Sequence, residues 1–154
     1  MKKQEDNLHI AFTKVRDVKT PERTGLNAGI DFFVPNDYNK RILHGKSQIL
    51  IPSGIKIKLP HNYALIAFNK SGVATKYNLI TGACVVDENY TGEIHLHLIN
   101  LQSDYFKIKP GMKILQFIPI KMNYMPLLEL PEKELIKIQD FSERGDKGFG
   151  STGI

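Results

Sequence analysis

Gly54-Ile-Lys-Ile-Lys-Leu59 sets Ile55, Ile57 and Leu59 on one side of an extended chain and Lys56 and Lys58 on the other. Successive side chains of a strand point to opposite faces, so apolar residues at a period of two mark a strand with one face buried. The pattern returns over residues 92–100, where Ile94, Leu96 and Leu98 alternate with Glu93, His95 and His97. Residues 8–15, 30–34, 48–51, 63–68, 79–86, 105–108 and 113–121 supply further short apolar runs, separated by clusters of Pro, Gly, Asn and Asp that favour turns. Helical periodicity is scarce: only residues 131–138 suggest a helical turn, with Pro131 at its start and Glu132 and Glu134 near the positive end of its dipole. The pattern implies an all-β fold, a jelly-roll-like sandwich or barrel without internal repeats.

A chain of 154 residues with 42% apolar side chains is the size of one domain and can bury a core. No tract approaches membrane-spanning length, and the start, Met1-Lys-Lys-Gln-Glu-Asp-Asn7, lacks the apolar stretch of an export signal. Cys84 is the one cysteine, so no disulfide framework exists within a chain, and an intracellular, reducing compartment is expected. The net charge of +5 would attract an anionic ligand. It is spread along the chain without a dense basic stripe interleaved with aromatics, so a small polyphosphate is expected ahead of nucleic acid, and no membrane partner is expected.

The final residues, Arg144-Gly-Asp-Lys-Gly-Phe-Gly-Ser-Thr-Gly-Ile154, combine cations, one aromatic ring, two hydroxyls and four glycines with almost nothing able to form a core. Gly lets amides approach a ligand closely, and a guanidinium matches phosphate oxygens as a fork. The expected organisation is therefore a β-rich core over residues 1–138 and a mobile arm over 139–154 that covers a phosphate-bearing ligand. Gly148-Phe-Gly-Ser-Thr-Gly153 matches a dinucleotide-binding pattern, but it lacks the helix and later acidic residue which that site needs. Gly45-Lys46-Ser47 resembles the end of a phosphate-binding loop, yet Lys40 stands where the first Gly is required. His95 and His97 share a strand face without an evident third ligand, so a solvated or subunit-facing pair is expected ahead of a zinc site.

Four more segments join the tail: Ala28-Gly-Ile-Asp-Phe32, Asn69-Lys-Ser-Gly-Val-Ala-Thr-Lys76, Gly82-Ala-Cys-Val-Val-Asp-Glu-Asn-Tyr-Thr-Gly-Glu93 and Gly111-Met-Lys-Ile-Leu-Gln-Phe117. In the second, Lys70, Ser71 and the amide after Gly72 are placed to meet phosphate oxygens at a turn. In the third, Val85-Val86 runs into Asp87-Glu88-Asn89 and out through Gly92-Glu93-Ile94, a pattern that predicts a β-hairpin. The five segments, in this order, resemble the five motifs of the trimeric deoxyuridine triphosphate nucleotidohydrolase (dUTPase) family, over residues 28–153.

The resemblance implies that Asp87 orients and deprotonates an attacking water, that Tyr90 packs under deoxyribose, and that backbone at Ala83, Cys84, Val86 and Gly92 pairs with uracil. Lys70, Ser71, Gly72 and Gln116 match phosphate-contacting positions, and Asp31 matches the Asp that holds water ligands of Mg2+. From the tail, Arg144, Gly150, Ser151 and Thr152 would clasp the β- and γ-phosphates, with Phe149 stacked over uracil. The implied reaction is water attack on the α-phosphorus of dUTP, giving dUMP and pyrophosphate, lowering dUTP and supplying dUMP for thymidylate synthesis. The implied assembly is a homotrimer with shared sites.

Lys70 stands where the family usually has Arg, Asn69 where it has Pro, Cys84 where it commonly has Gly, and Lys147 adds a cation in the tail. Two rival readings differ in class. A related dCTP deaminase would need a Glu as general acid/base, with Glu88 and Glu93 as candidates; a non-catalytic nucleotide-binding regulator would be expected to lack Asp87 or the tail.

Overall fold

A computed structural model describes residues 9–139, with side chains to residue 135. It confirms an all-β architecture. Eleven strands and two short helices are described: β1 Ala11–Lys14, β2 Ile30–Phe33, β3 Arg41–Leu43, β4 Gln48–Pro52, β5 Ile55–Lys58, β6 Tyr63–Asn69, α1 Ser71–Tyr77, β7 Leu79–Thr81, β8 Val85–Val86, β9 His95–Asn100, β10 Phe106–Ile108, β11 Lys113–Lys121 and α2 Glu132–Gln139. All pairings are antiparallel, in a four-stranded sheet of order β2-β11-β6-β8, a three-stranded sheet of order β4-β9-β7, and two ribbons, β1-β5 and β10-β3. Packing divides the chain after Asn123, and α2 belongs to the second unit. The expected 139–154 arm begins where the described residues end.

One core joins the sheets: Phe32, Leu65, Leu115 and Phe117 of the larger sheet meet Ile51, Leu79, Leu96 and Leu98 of the smaller. The Phe32 and Phe117 rings pack at 4.5 Å between centroids, tilted by 50°. The alternation read in the sequence holds, with Ile55 and Leu59 buried and Lys56 and Lys58 exposed. Asn100 ends β9 fully buried, its amide donating to the carbonyls of Leu43, His44 and Asp104 while its oxygen accepts from the Gln102 amide at 3.0 Å. Every polar atom of that side chain therefore has a partner, which a buried amide requires.

Three local expectations are corrected. The residues after Lys70 form not a turn but α1, Ser71–Tyr77, a short helix whose first internal donors, Val73 and Ala74, both reach the Lys70 carbonyl. The run 79–86 is not one strand: it leaves the small sheet as β7 and enters the large one as β8, crossing at Gly82. For the same reason the segment around Asp87 is not a paired hairpin, because β8 bonds to β6 whereas β9 bonds to β4 and β7. The Gly45-Lys46-Ser47 turn is structural, with Lys46 in the left-handed region at φ 56° and its amide bonded to the Gln102 carbonyl.

Candidate active site

The segment-three residues converge on a pocket of about 240 Å³ where the chain changes sheets. Ala83, Cys84, Val86, Asp87 and Tyr90 line it, with Leu50, His95, His97 and Phe117 completing the walls. Asp87 ends β8 exposed, and its carbonyl accepts the Tyr90 amide at 3.1 Å, turning the chain back. The Tyr90 ring is fixed from both sides. Its hydroxyl donates to the Glu93 carbonyl at 3.0 Å, and it lies so close over Gly92 that a Cβ there would meet the hydroxyl at 2.3 Å. Gly92 thus supports the ring without lining the pocket.

Asp31, Lys70 and Gln116 converge elsewhere, on a polar cleft of about 250 Å³ together with Thr24, Asn27, Ala28, Gly29 and Ile118. Antiparallel register places Gln116 opposite both Asp31 on β2 and Phe68 on β6. The polar residue in the apolar run of β11 has its partner here: Gln116 Nε2 donates to the Asn69 carbonyl at 2.8 Å. Its side chain crosses Gly29, where an added Cβ would stand 2.0 Å from Oε1, so Gly29 is what lets β2 approach it. Ser71 and Gly72 are exposed and open α1 directly after Lys70. Their amides precede the first intrahelical bond and lack a helical acceptor.

Asp31 is the charged centre of this cleft, its side chain only 13% exposed. Lys70 donates to its Oδ1, and the Lys113 ammonium lies 3.3 Å from its Oδ2 and 3.5 Å from Glu22. Hydrogen bonding to Asp31, then its Coulombic attraction, holds the Lys113 ammonium above the usual lysine range. Lys113 was not singled out in the sequence; only its place three residues before Gln116 hinted at it.

Among the described residues, the structure does not bring these two groups together within one chain. The two pockets share no lining residue. Val86 pairs with Leu65 on β6, while Lys70 lies beyond the far end of that strand, roughly 17 Å away at about 3.3 Å per residue. Arg144, Phe149, Gly150, Ser151 and Thr152 lie outside the described residues. A separate cavity of about 430 Å³, lined by Phe12, Ile30, Phe32, Ile57 and Leu65 among others, holds none of the residues assigned a site role from the sequence.

Glu88 and Glu93, the acids a deaminase would recruit, are both committed to the scaffold. Glu88 bonds His61 at 2.7 Å and accepts the Asn62 amide at 2.8 Å. Glu93 accepts the Gly54 amide at 2.7 Å and Arg16 Nε at 3.0 Å. His97 is likewise not the solvated side chain expected from its alternation, since both of its ring nitrogens are engaged. Among the described residues no three His, Cys, Asp or Glu side chains gather as a metal cage, and no helix is long and apolar enough to cross a membrane.

Comparison with known proteins shows the family of this chain. The dUTPase family profile matches residues 17–153. A deoxyuridine 5'-triphosphate nucleotidohydrolase of Clostridium novyi is 38% identical over 130 residues, 83% of this chain and 85% of that protein. One from Fowlpox virus is 34% identical over 147 residues, 94% of this chain and 97% of that protein. The structure of a mutant of the Staphylococcus bacteriophage 80alpha dUTPase with dUpNHpp shares the fold, with a TM-score of 0.80 at 20% identity, covering 95% of this chain and 99% of that one. A profile match over most of the chain, relatives above 30% identity along most of their length and a common fold together place this chain in the dUTPase family.

Proposed function

We propose that the protein hydrolyses dUTP to dUMP and pyrophosphate in a site divided between the two pockets. The observation that carries this reading is the convergence of Asp87 and Tyr90 with the backbone of residues 83–86 on one small pocket. Uracil would enter beside that backbone, where the amides and carbonyls not already bonded within the protein would read its edge and the walls would exclude a thymine methyl. Cytosine presents the wrong pattern, leaving buried polar groups unpaired at about 1–3 kcal/mol each. Tyr90, clamped over Gly92, forms a flat wall under the sugar on which a 2′-hydroxyl would collide.

Asp87 orients a water toward the α-phosphorus and takes its proton. The water oxygen bonds to phosphorus as the bond to the α,β-bridging oxygen breaks, and pyrophosphate leaves with the electron pair. Positioning and charge stabilisation supply the rate, since the protein forms no covalent bond. Lys70, the Ser71 and Gly72 amides and Gln116 hold the departing phosphates. Lys70 does so as a point charge rather than a fork. Arg144, Gly150, Ser151 and Thr152 close over them with Phe149 above the base, excluding water.

Asp31 and the cleft suit Mg2+. The cleft offers one carboxylate and an amide oxygen rather than a cage, which fits an ion that keeps its waters and is held chiefly by phosphates. When bound, Mg2+ would neutralise phosphate charge; Asp31 would orient its waters.

The placement of the pockets supports sites shared between subunits, as in the homotrimer that the family resemblance implies. Phe117 lines one pocket while its neighbours Gln116 and Ile118 line the other, so the two lie on opposite faces of β11, and the nucleoside pocket of one subunit would meet the phosphate cleft of the next. Pyrophosphate release from dUTP, UTP, dCTP and dTTP, with and without Mg2+, tests the reading. Rapid Mg2+-stimulated release from dUTP alone is expected; ammonia release from dCTP would overturn it.

A further inference from the structure

We propose that His97 is the positioning residue that fixes the wall of the nucleoside pocket and, through it, the preference for uracil over thymine; this rests on the function proposed above. The wall is the link between β7 and β8, residues 82–84, where the chain leaves one sheet for the other. A strand interior is held by its ladder, but this link lies outside both ladders. Its anchors are few: the Gly82 amide donates to the His97 carbonyl at 3.1 Å, the Ala83 amide donates to His97 Nδ1 at 2.7 Å, and the Cys84 carbonyl accepts the Ala67 amide at 2.7 Å. Two of the three end on His97.

The ring itself is locked. A backbone amide only donates, so Nδ1 is the bare acceptor and the proton of the neutral imidazole sits on Nε2. Nε2 then donates to Gln48 Oε1 at 2.8 Å. Gln48 pairs with Ile99 across the β4-β9 ladder and Leu50 with His97, which puts Gln48 diagonally beside His97 on one face. The ring also lies flat against Gly82, where a Cβ would stand 2.3 Å from both Nδ1 and Cε1. Gln48, His97 and the link therefore form one rigid file ending in the pocket wall, and His97 itself lines the pocket. Releasing the Ala83 amide frees the wall to move outward, which admits a larger base and loosens the grip on uracil.

The test compares full-length wild type with His97→Leu, His97→Asn and Gln48→Leu. Read out are kcat and KM for dUTP and dTTP, inhibition by inorganic pyrophosphate, and the nitrogen NMR spectrum of the imidazole. His97→Leu is expected to lower the dUTP-over-dTTP preference about tenfold, mainly through KM for dUTP. Pyrophosphate inhibition should not change, because the phosphate cleft shares no residue with this wall. His97→Asn, whose Oδ1 takes the place of Nδ1, should recover most of the preference. Gln48→Leu alters an exposed strand position and should lose about threefold. Unchanged preference in His97→Leu, equal weakening toward pyrophosphate, or no recovery with Asn overturns the proposal. If His97→Leu fails to fold, Gln48→Leu and the wild-type spectrum decide, and a proton on Nδ1 in the free protein is fatal. A wild-type protein that releases no pyrophosphate from dUTP sinks the functional reading instead, while the spectrum still judges the His97 contact.

Discussion

In the proposed reaction Asp87 would act from an exposed position just after the two-residue strand β8, open to water. Replacing it with Asn keeps the shape and removes the proton acceptor. Asp87→Asn should lower kcat by at least about a hundredfold, measured as pyrophosphate release. Affinity for a nonhydrolysable dUTP analogue, measured by calorimetry, should stay within about threefold. At this scale the sequence was informative for residues that line the two pockets themselves, as with Asp87, Tyr90, Lys70 and Gln116. It was silent where a side chain meets distant neighbours: nothing in the alternation of β9 shows that His97 packs against Gly82 of the β7-β8 link and bonds Gln48 of β4.

Among the elements, β11 carries the most. It pairs with both β2 and β6, and a register shift between Lys113 and Leu115 breaks its alternation so that Ile114 and Leu115 are both buried. Gln116, the next residue, then faces the cleft across Gly29. Gly29→Val is expected to push Gln116 off the Asn69 carbonyl and weaken inhibition by pyrophosphate about tenfold. Binding of dUMP should change little in the same titrations. Asn100→Leu should destabilise the fold by about 3 kcal/mol, since it leaves several buried groups unpaired; urea denaturation followed by circular dichroism measures this. Strand positions were legible because burial on one face writes itself as a period of two. The exceptions have local causes. β3 has three residues and pairs only with β10, too short for a period to show. α1 lacks buried residues and so carries no apolar stripe. The break between β7 and β8 rests on Gly82 and the change of sheet, which is a tertiary fact.

At the scale of the molecule, the buried apolar core among the described residues runs from Val18 to Phe117. Removing residues 144–154 is therefore expected to leave the melting temperature within a few degrees, by roughly the scale of surface changes. The same truncation should cut kcat for dUTP about a hundredfold or more through loss of the phosphate clasp. The two results together separate a catalytic segment from a structural one.

The division of the site between the two faces of β11 has a genetic reading. A chain disabled at Asp87 and a chain disabled at Lys70 carry damage in different halves. Refolded together, they should form mixed assemblies in which some sites draw both halves from undamaged stretches, and activity should reappear. Two lesions in the same half should give no such rescue, and failure of the first pair to complement would mean that each polypeptide works alone.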